Sequence, residues 1–314
     1  MKMHGIIGLV LASMALGHVV PYGLDSDSTS LLSERQAPQQ RVKSIQVAPF
    51  DAGEHDGFAS GKCTREQIKK LGIAIKDARV TLKIPGNALA EGNAENTRAY
   101  KDWFGVHTDP SGERKELLRK SIRTHNFDAP HLALGLTLKE TKKTLTPNTL
   151  DPYGLTFTCW GRNDEHCTSG MVAGTIPPGR HQGLNKDFKG TLIGLCPSFF
   201  ESPSLEEAIA KFKNNDRSLL NTAALTLIHE MQHVPLITGK ERNCVDVTDN
   251  RGRPAYDAQV CKSLPPKDKI RNAQNMALFA LDITAHSIVR LTYMPERVPL
   301  TSSKMYSRRR GGET

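Results

Sequence analysis

The sequence predicts an α+β fold, mainly helical with a small β-sheet. Three observations carry that expectation. Apolar residues recur at helical spacing in the first third of the chain. Two short strand-like segments fill the middle. Helical periodicity then returns after Ser204.

Residues 1–17 read as a signal peptide. Lys2 and His4 give a weakly basic start, Ile6 to Leu16 an apolar run, and Ala15-Leu16-Gly17 small residues at a cleavage position. The run is too short to span a bilayer, and no later stretch approaches about 18 unbroken apolar residues, so no membrane partner is expected. Residues 18–47 are rich in Ser, Gln, Arg and Pro without a sustained period, and read as a pro-segment or disordered linker. The folded domain is expected over 48–295, and a chain of 314 residues is long enough to bury a sizeable core.

A helix is expected from Cys63 to about Leu82, capped by Thr64, with Ile68, Leu71, Ile73, Ala74, Ile75 and Ala78 as its apolar stripe. A second holds Tyr100, Trp103 and Phe104, and a third runs from about Gly112 to Arg123. Leu155 to Cys159 alternates like a half-buried strand. Gly170 to Gly183 reads as loop with short strands, and Gly190 to Cys196 as another strand. Ser204 to Phe212 is a short helix. Ser218 to His233 is a longer one, with Ser218 as its cap, Leu219, Ala223, Leu227 and Ile228 buried, and Pro235 ending it. Residues 239–266 read as loop, and Lys267 to Thr292 as a long last helix. Residues 296–314 form a basic flexible tail containing Lys304, Arg308, Arg309 and Arg310.

The formal charge of +9 comes without a recognisable nucleic-acid motif or aromatic platform, so it predicts a solvated basic surface and no nucleic-acid partner. A monomer is expected. The six cysteines, Cys63, Cys159, Cys167, Cys196, Cys244 and Cys261, show no C-x-x-C spacing. An even count behind a signal peptide predicts three disulfides and a secreted, extracellular protein.

The segment His229-Glu230-Met231-Gln232-His233 carries the chemistry. On a helix, residues four apart share a face one turn apart, so His229 and His233 can grip one zinc ion. Glu230 then lies beside the open coordination position, where it can take a proton from zinc-bound water and pass it to a leaving amine. The apolar neighbours Leu225, Leu227, Ile228 and Val234 predict a buried helix, in which unpartnered imidazoles and a carboxylate would be costly. A catalytic zinc needs a third protein ligand. The following stretch offers Asp246 and Asp249, each of which could equally be a turn residue.

The ordered set of motifs resembles the aspzincins, the deuterolysin-like fungal zinc metallopeptidases. Three stretches carry the resemblance: His229 to Pro235, Tyr256-Asp257-Ala258-Gln259-Val260-Cys261-Lys262-Ser263-Leu264, and Asn272-Ala273-Gln274-Asn275-Met276-Ala277-Leu278-Phe279-Ala280. Cys196-Pro197-Ser198-Phe199-Phe200 and Tyr100 to Gly105 also look familial, so the likeness covers about residues 60–285.

The resemblance implies a zincin-like metallopeptidase domain acting on protein or peptide substrates. It implies zinc on His229 and His233, Glu230 as general base and acid, and Tyr256 as the phenol that stabilises the oxyanion. Asp246 is preferred as third ligand, because its distance from His233 is nearer the family's. The likeness also suggests a local Cys244–Cys261 disulfide. Four departures stand out. Arg253 occupies the family's aspartate position, and Asn250 to Pro254 looks like a hairpin insert. Asp257 replaces a glycine. Gln274 stands where lysine-specific relatives carry an acid. The altered tyrosine motif and the basic tail motivate an alternative: a catalytically retired zinc-binding protein, or a host-interacting effector, on the same fold.

Overall fold

The computed structural model describes residues 41–53, 60–106, 112–179, 187–214 and 221–287. All of them belong to the compact unit Pro38–Thr314, while the unit Met1–Ala37 lies wholly outside the described residues. The expected signal peptide (1–17) and basic tail (296–314) also fall outside them.

The first strand, β1 (Ser44–Val47), corrects the expected domain boundary, because it lies in the segment read as linker. Ile45 and Val47 are buried in the core. A four-residue strand with two buried positions is too short to show a period.

Helix α1 (Arg65–Ala88) starts at Thr64 as expected. Thr64 Oγ1 accepts from the Gln67 backbone at 3.2 Å, and Gln67 Oε1 accepts from the Thr64 backbone at 2.8 Å. The helix runs past the expected Leu82, and Ile73 points outward at 54% exposure rather than joining the apolar stripe. Helix α2 (Arg98–Phe104) carries the three expected aromatics. Helix α3 (Gly112–Ile122) does not stop near Arg123 but widens into a π-helical turn, Arg123–Asp128, and continues as α4 (Ala129–Ala133).

Next come β2 (Leu138–Glu140), β3 (Gly154–Cys159), α5 (Glu165–Thr168), β4 (Ala173–Ile176) and β5 (Thr191–Leu195). They are followed by α6 (Pro197–Phe200), α7 (Leu205–Lys213), α8 (Ala223–Gln232) and α9 (Pro235–Thr238). The described chain closes with α10 (Ala258–Ser263), α11 (Pro266–Lys269) and α12 (Ala273–His286). Helix α8 is capped by Thr222, whose Oγ1 accepts from Leu225 N at 3.1 Å, rather than by Ser218, which is outside the described residues.

The strands form a five-stranded sheet in the order β2-β1-β3-β5-β4. Pairing is parallel except for edge strand β4, which runs antiparallel to β5. Strand β3 is buried along its whole length instead of half-buried. A central parallel strand is covered on both faces, so polar Thr156 and Thr158 are enclosed along with the apolar positions. One face joins Leu155, Phe157, Ile193 and Leu195 to the main core formed by α1, α8 and α12, which pack on one another. The other face holds a smaller cluster around Phe50, Trp160, Phe188 and Leu192. There a Cβ on Gly194 would lie 2.0 Å from the Trp160 ring, so only glycine lets the indole close over β5.

Two disulfides form, Cys63–Cys159 and Cys167–Cys196. The expected third bridge, Cys244–Cys261, does not: both are buried thiols. Each sulfur is turned to its own polar partners. Cys261 Sγ donates to Ala255 O at 2.9 Å, and Cys244 Sγ lies 3.7 Å from Arg242 O. Burial pushes both thiols up to about 12, which keeps them protonated and unreactive.

Candidate metal centre

Helix α8 is buried along most of its length, and it presents His229 and Glu230 from its last turn, with His233 as the C-terminal cap residue. The i,i+4 spacing places the two rings edge to face, centroids 4.9 Å apart. Their Nε2 atoms are 3.1 Å apart. Asp246 Oδ1 closes the triangle, 3.1 Å from His229 Nε2 and 3.5 Å from His233 Nε2.

The second nitrogen of each ring fixes its tautomer. His233 Nδ1 donates to the Cys244 carbonyl at 3.1 Å, and His229 Nδ1 donates to Gln274 Oε1 at 3.0 Å. In its neutral form each ring then offers the Nε2 lone pair, and the two Nε2 atoms converge with a carboxylate oxygen. Three acceptors facing one point need a cation. A tetrahedral ion with bonds of about 2.1 Å holds its ligands about 3.4 Å apart, close to the 3.1, 3.1 and 3.5 Å edges of this triangle. His229, His233 and Asp246 are the residues that could hold a metal among those described.

The electrostatics agree. Burial of the His233 ring opposes its charged form, but the Asp246 hydrogen bond and the negative charges of Glu230 and Asp246 outweigh it and raise its pKa to about 9. Burial likewise opposes ionisation of Asp246, but the two imidazoles hold its carboxyl well below the usual carboxylate range. Positive charge is favoured at the centre of the triangle.

The loop after α9 delivers Asp246 through three ties. Cys244 N donates to Gln232 O at 2.9 Å, which docks the loop on the end of α8. Val245 N donates to Arg271 O at 2.8 Å, and Ala273 N donates to Val245 O at 3.1 Å. Asn272 completes the clamp: its Oδ1 accepts from Val247 N at 3.3 Å and its Nδ2 donates to Ala255 O at 3.1 Å. These bonds hold Asn272 in extended backbone, so the helix expected over Lys267 to Thr292 is broken there into α11 and α12. Asp249 lies in a turn instead. Its carboxylate accepts from the Arg251 and Arg253 backbones at 2.8 and 3.0 Å and pairs with the Arg253 side chain at 2.8 Å. A hairpin forms there, with Thr248 bridging Pro254 and Gly252 at φ 74°.

No protein-family model and no curated protein matches the chain. Among solved structures, a zinc peptidase from Grifola frondosa is similar at 18% identity and a TM-score of 0.42, over 72% of this chain and 100% of that one. At that level of likeness, function has to be argued from the site itself.

Tyr256 stands at the rim. Its ring meets His229 edge to face at 5.7 Å, and its hydroxyl lies beside the Asp246 carboxylate. The residue is 46% exposed, yet its phenol is held well above the ordinary range, first by desolvation of the hydroxyl and then by the charges of Asp246 and Glu230. It is therefore a neutral hydrogen-bond donor. Asp257 needs none of glycine's freedom: with φ −72° it caps α10, accepting from Gln259 N and Val260 N.

Sequence reasoning missed three contributors. Thr175 on β4 donates to Glu230 Oε2 at 2.7 Å. Gln274 orients His229, where only a lost acidic position had been noted. Asn126, in the π-helical turn, donates to Gln232 Oε1 at 2.9 Å and to Arg242 O at 3.1 Å, bracing α8 and the ligand loop together. Thr175 and Asn126 carry no local signal, because each acts on a residue more than 50 positions away.

Proposed function

We propose that this chain is a secreted zinc-dependent endopeptidase. The observation that supports the reading best is the triangle of His229 Nε2, His233 Nε2 and Asp246 Oδ1 beside a buried, oriented Glu230. A zinc ion on those ligands would lower the pKa of a bound water towards 7 and polarise a peptide carbonyl. Glu230 then acts as general base, taking the water proton, and as general acid, returning it to the leaving amine. The Tyr256 hydroxyl donates a hydrogen bond to the developing oxyanion. Gln274 and the Cys244 carbonyl keep both imidazoles in the tautomer that offers Nε2. The two disulfides fit an oxidising compartment, and no described helix is long and apolar enough to cross a membrane.

The test is peptide hydrolysis by the purified protein, abolished by 1,10-phenanthroline and restored by zinc. Glu230→Gln should keep its zinc and lose roughly 10³-fold in kcat. Turnover unaffected by that substitution would refute the mechanism. Stoichiometric zinc with no cleavage of a peptide library would leave the retired, zinc-binding reading instead.

A further inference from the structure

Strand β4, the antiparallel edge of the sheet, reaches the metal-centre helix through the side chain of Glu230. Side chains alternate along it. Ala173 and Thr175 face one way, and Ala173 joins the main core with α8. Gly174 and Ile176 face the other. A Cβ on Gly174 would meet the Trp160 ring at 3.4 Å, and Ile176 packs in the Trp160 cluster. The Trp160 side therefore fixes which residue of β4 is presented to α8, and that residue is Thr175.

Thr175 Oγ1 lies 2.7 Å from Glu230 Oε2 and 3.3 Å from the Glu230 carbonyl. The hydroxyl has one proton, and the short, charge-assisted contact takes it. We propose that Thr175 is a positioning residue for the catalytic step: its hydroxyl anchors Glu230 Oε2 and leaves Oε1 as the oxygen that exchanges protons with water and leaving amine. This rests on the zinc-peptidase reading of the same site. The anchor fixes the rotamer of Glu230 before substrate arrives. Both polar contacts of the Thr175 hydroxyl are with Glu230.

The experiment compares Thr175→Val, which keeps the shape and removes the donor, with Thr175→Ser, which keeps the donor. Both are measured as full-length, zinc-loaded protein. Acetohydroxamate supplies a readout without turnover, because its hydroxyl proton goes to the carboxylate beside a chelated zinc. Thr175→Val should retain one zinc per chain and a melting temperature within a few degrees of wild type. It should bind acetohydroxamate about 10-fold more weakly, in line with the loss of a hydrogen bond to a charged group. Its kcat should fall about 10-fold or more, with KM changed by less than about twofold. Thr175→Ser should restore both. Should Thr175→Val not fold, Thr175→Ala must show the same pattern. Hydroxamate affinity and kcat at wild-type values in Thr175→Val would overturn the proposal, as would a Thr175→Ser variant as impaired as Thr175→Val. Wild-type protein that binds zinc and hydroxamate yet cleaves no peptide would defeat the peptidase reading alone, and the hydroxamate comparison would still decide the role of Thr175.

Discussion

Each imidazole of the centre is held by the nitrogen that faces away from it. For His233 the partner is a backbone carbonyl, which no substitution removes. For His229 it is the side chain of Gln274, which can be changed. Gln274→Leu keeps the bulk and removes the acceptor, so the ring is free to turn and to change tautomer. Zinc affinity should fall about 10-fold or more, measured by competition with a chromophoric chelator. An unchanged dissociation constant would mean that packing alone orients the ring. Gln274 also shows what a residue-level likeness misses. Judged by sequence, the position had lost an acid; in the structure it carries a hydrogen bond that an amide makes as well.

The elements divide the work. Helix α8 and its C-terminal cap residue supply two ligands and the carboxylate, the 239–257 loop supplies the third ligand and Tyr256, and the break before α12 fixes that loop. Asn272 is the hub of the break, bonding to Val247, Ala255 and Asn275 at once. Asn272→Ala strands several buried polar groups and should destabilise the fold by about 2 kcal/mol. It should also weaken zinc binding, because Asp246 is then held only through Val245 and Cys244. A chemical-denaturation midpoint equal to wild type would contradict that role.

The same elements show what was legible in the sequence. The two histidines and Glu230 were, because their geometry depends only on helical periodicity over five residues. Thr64, Ser204 and the strands around Phe157 and Ile193 were readable for the same local reason. The split of the last helix was not, since Asn272 is pulled out of helix by residues 17 and 25 positions earlier. Strands β1 and β2 were invisible because four- and three-residue segments carry almost no period.

In the molecule as a whole, the site sits where the helical core meets the antiparallel edge of the sheet. Glu230 is reached from the sheet by Thr175, His229 from α12 by Gln274, and Asp246 from the loop clamped on Arg271 to Ala273. The Cys63–Cys159 bridge ties the start of α1 to the end of β3 across 96 residues, and closing so long a loop stabilises the fold by about 4.7 kcal/mol in the chain-entropy account. The even cysteine count predicted three bridges and the family likeness paired Cys244 with Cys261, but neither shows which sulfurs meet, and both stay free. Their carbonyls and neighbours, not their sulfurs, hold the ligand loop: Cys244 O orients His233 while its thiol stays buried.

The central claim is that two imidazoles and one particular aspartate bind a metal together. Native mass spectrometry of the purified, unreduced chain tests it most directly, with Asp246→Ala and Asp249→Ala measured alongside. One zinc per chain is expected in the wild type and in Asp249→Ala, and none after the same dialysis in Asp246→Ala. Folded wild-type protein that carries no zinc and takes none up, or zinc lost from Asp249→Ala but kept in Asp246→Ala, would contradict the account.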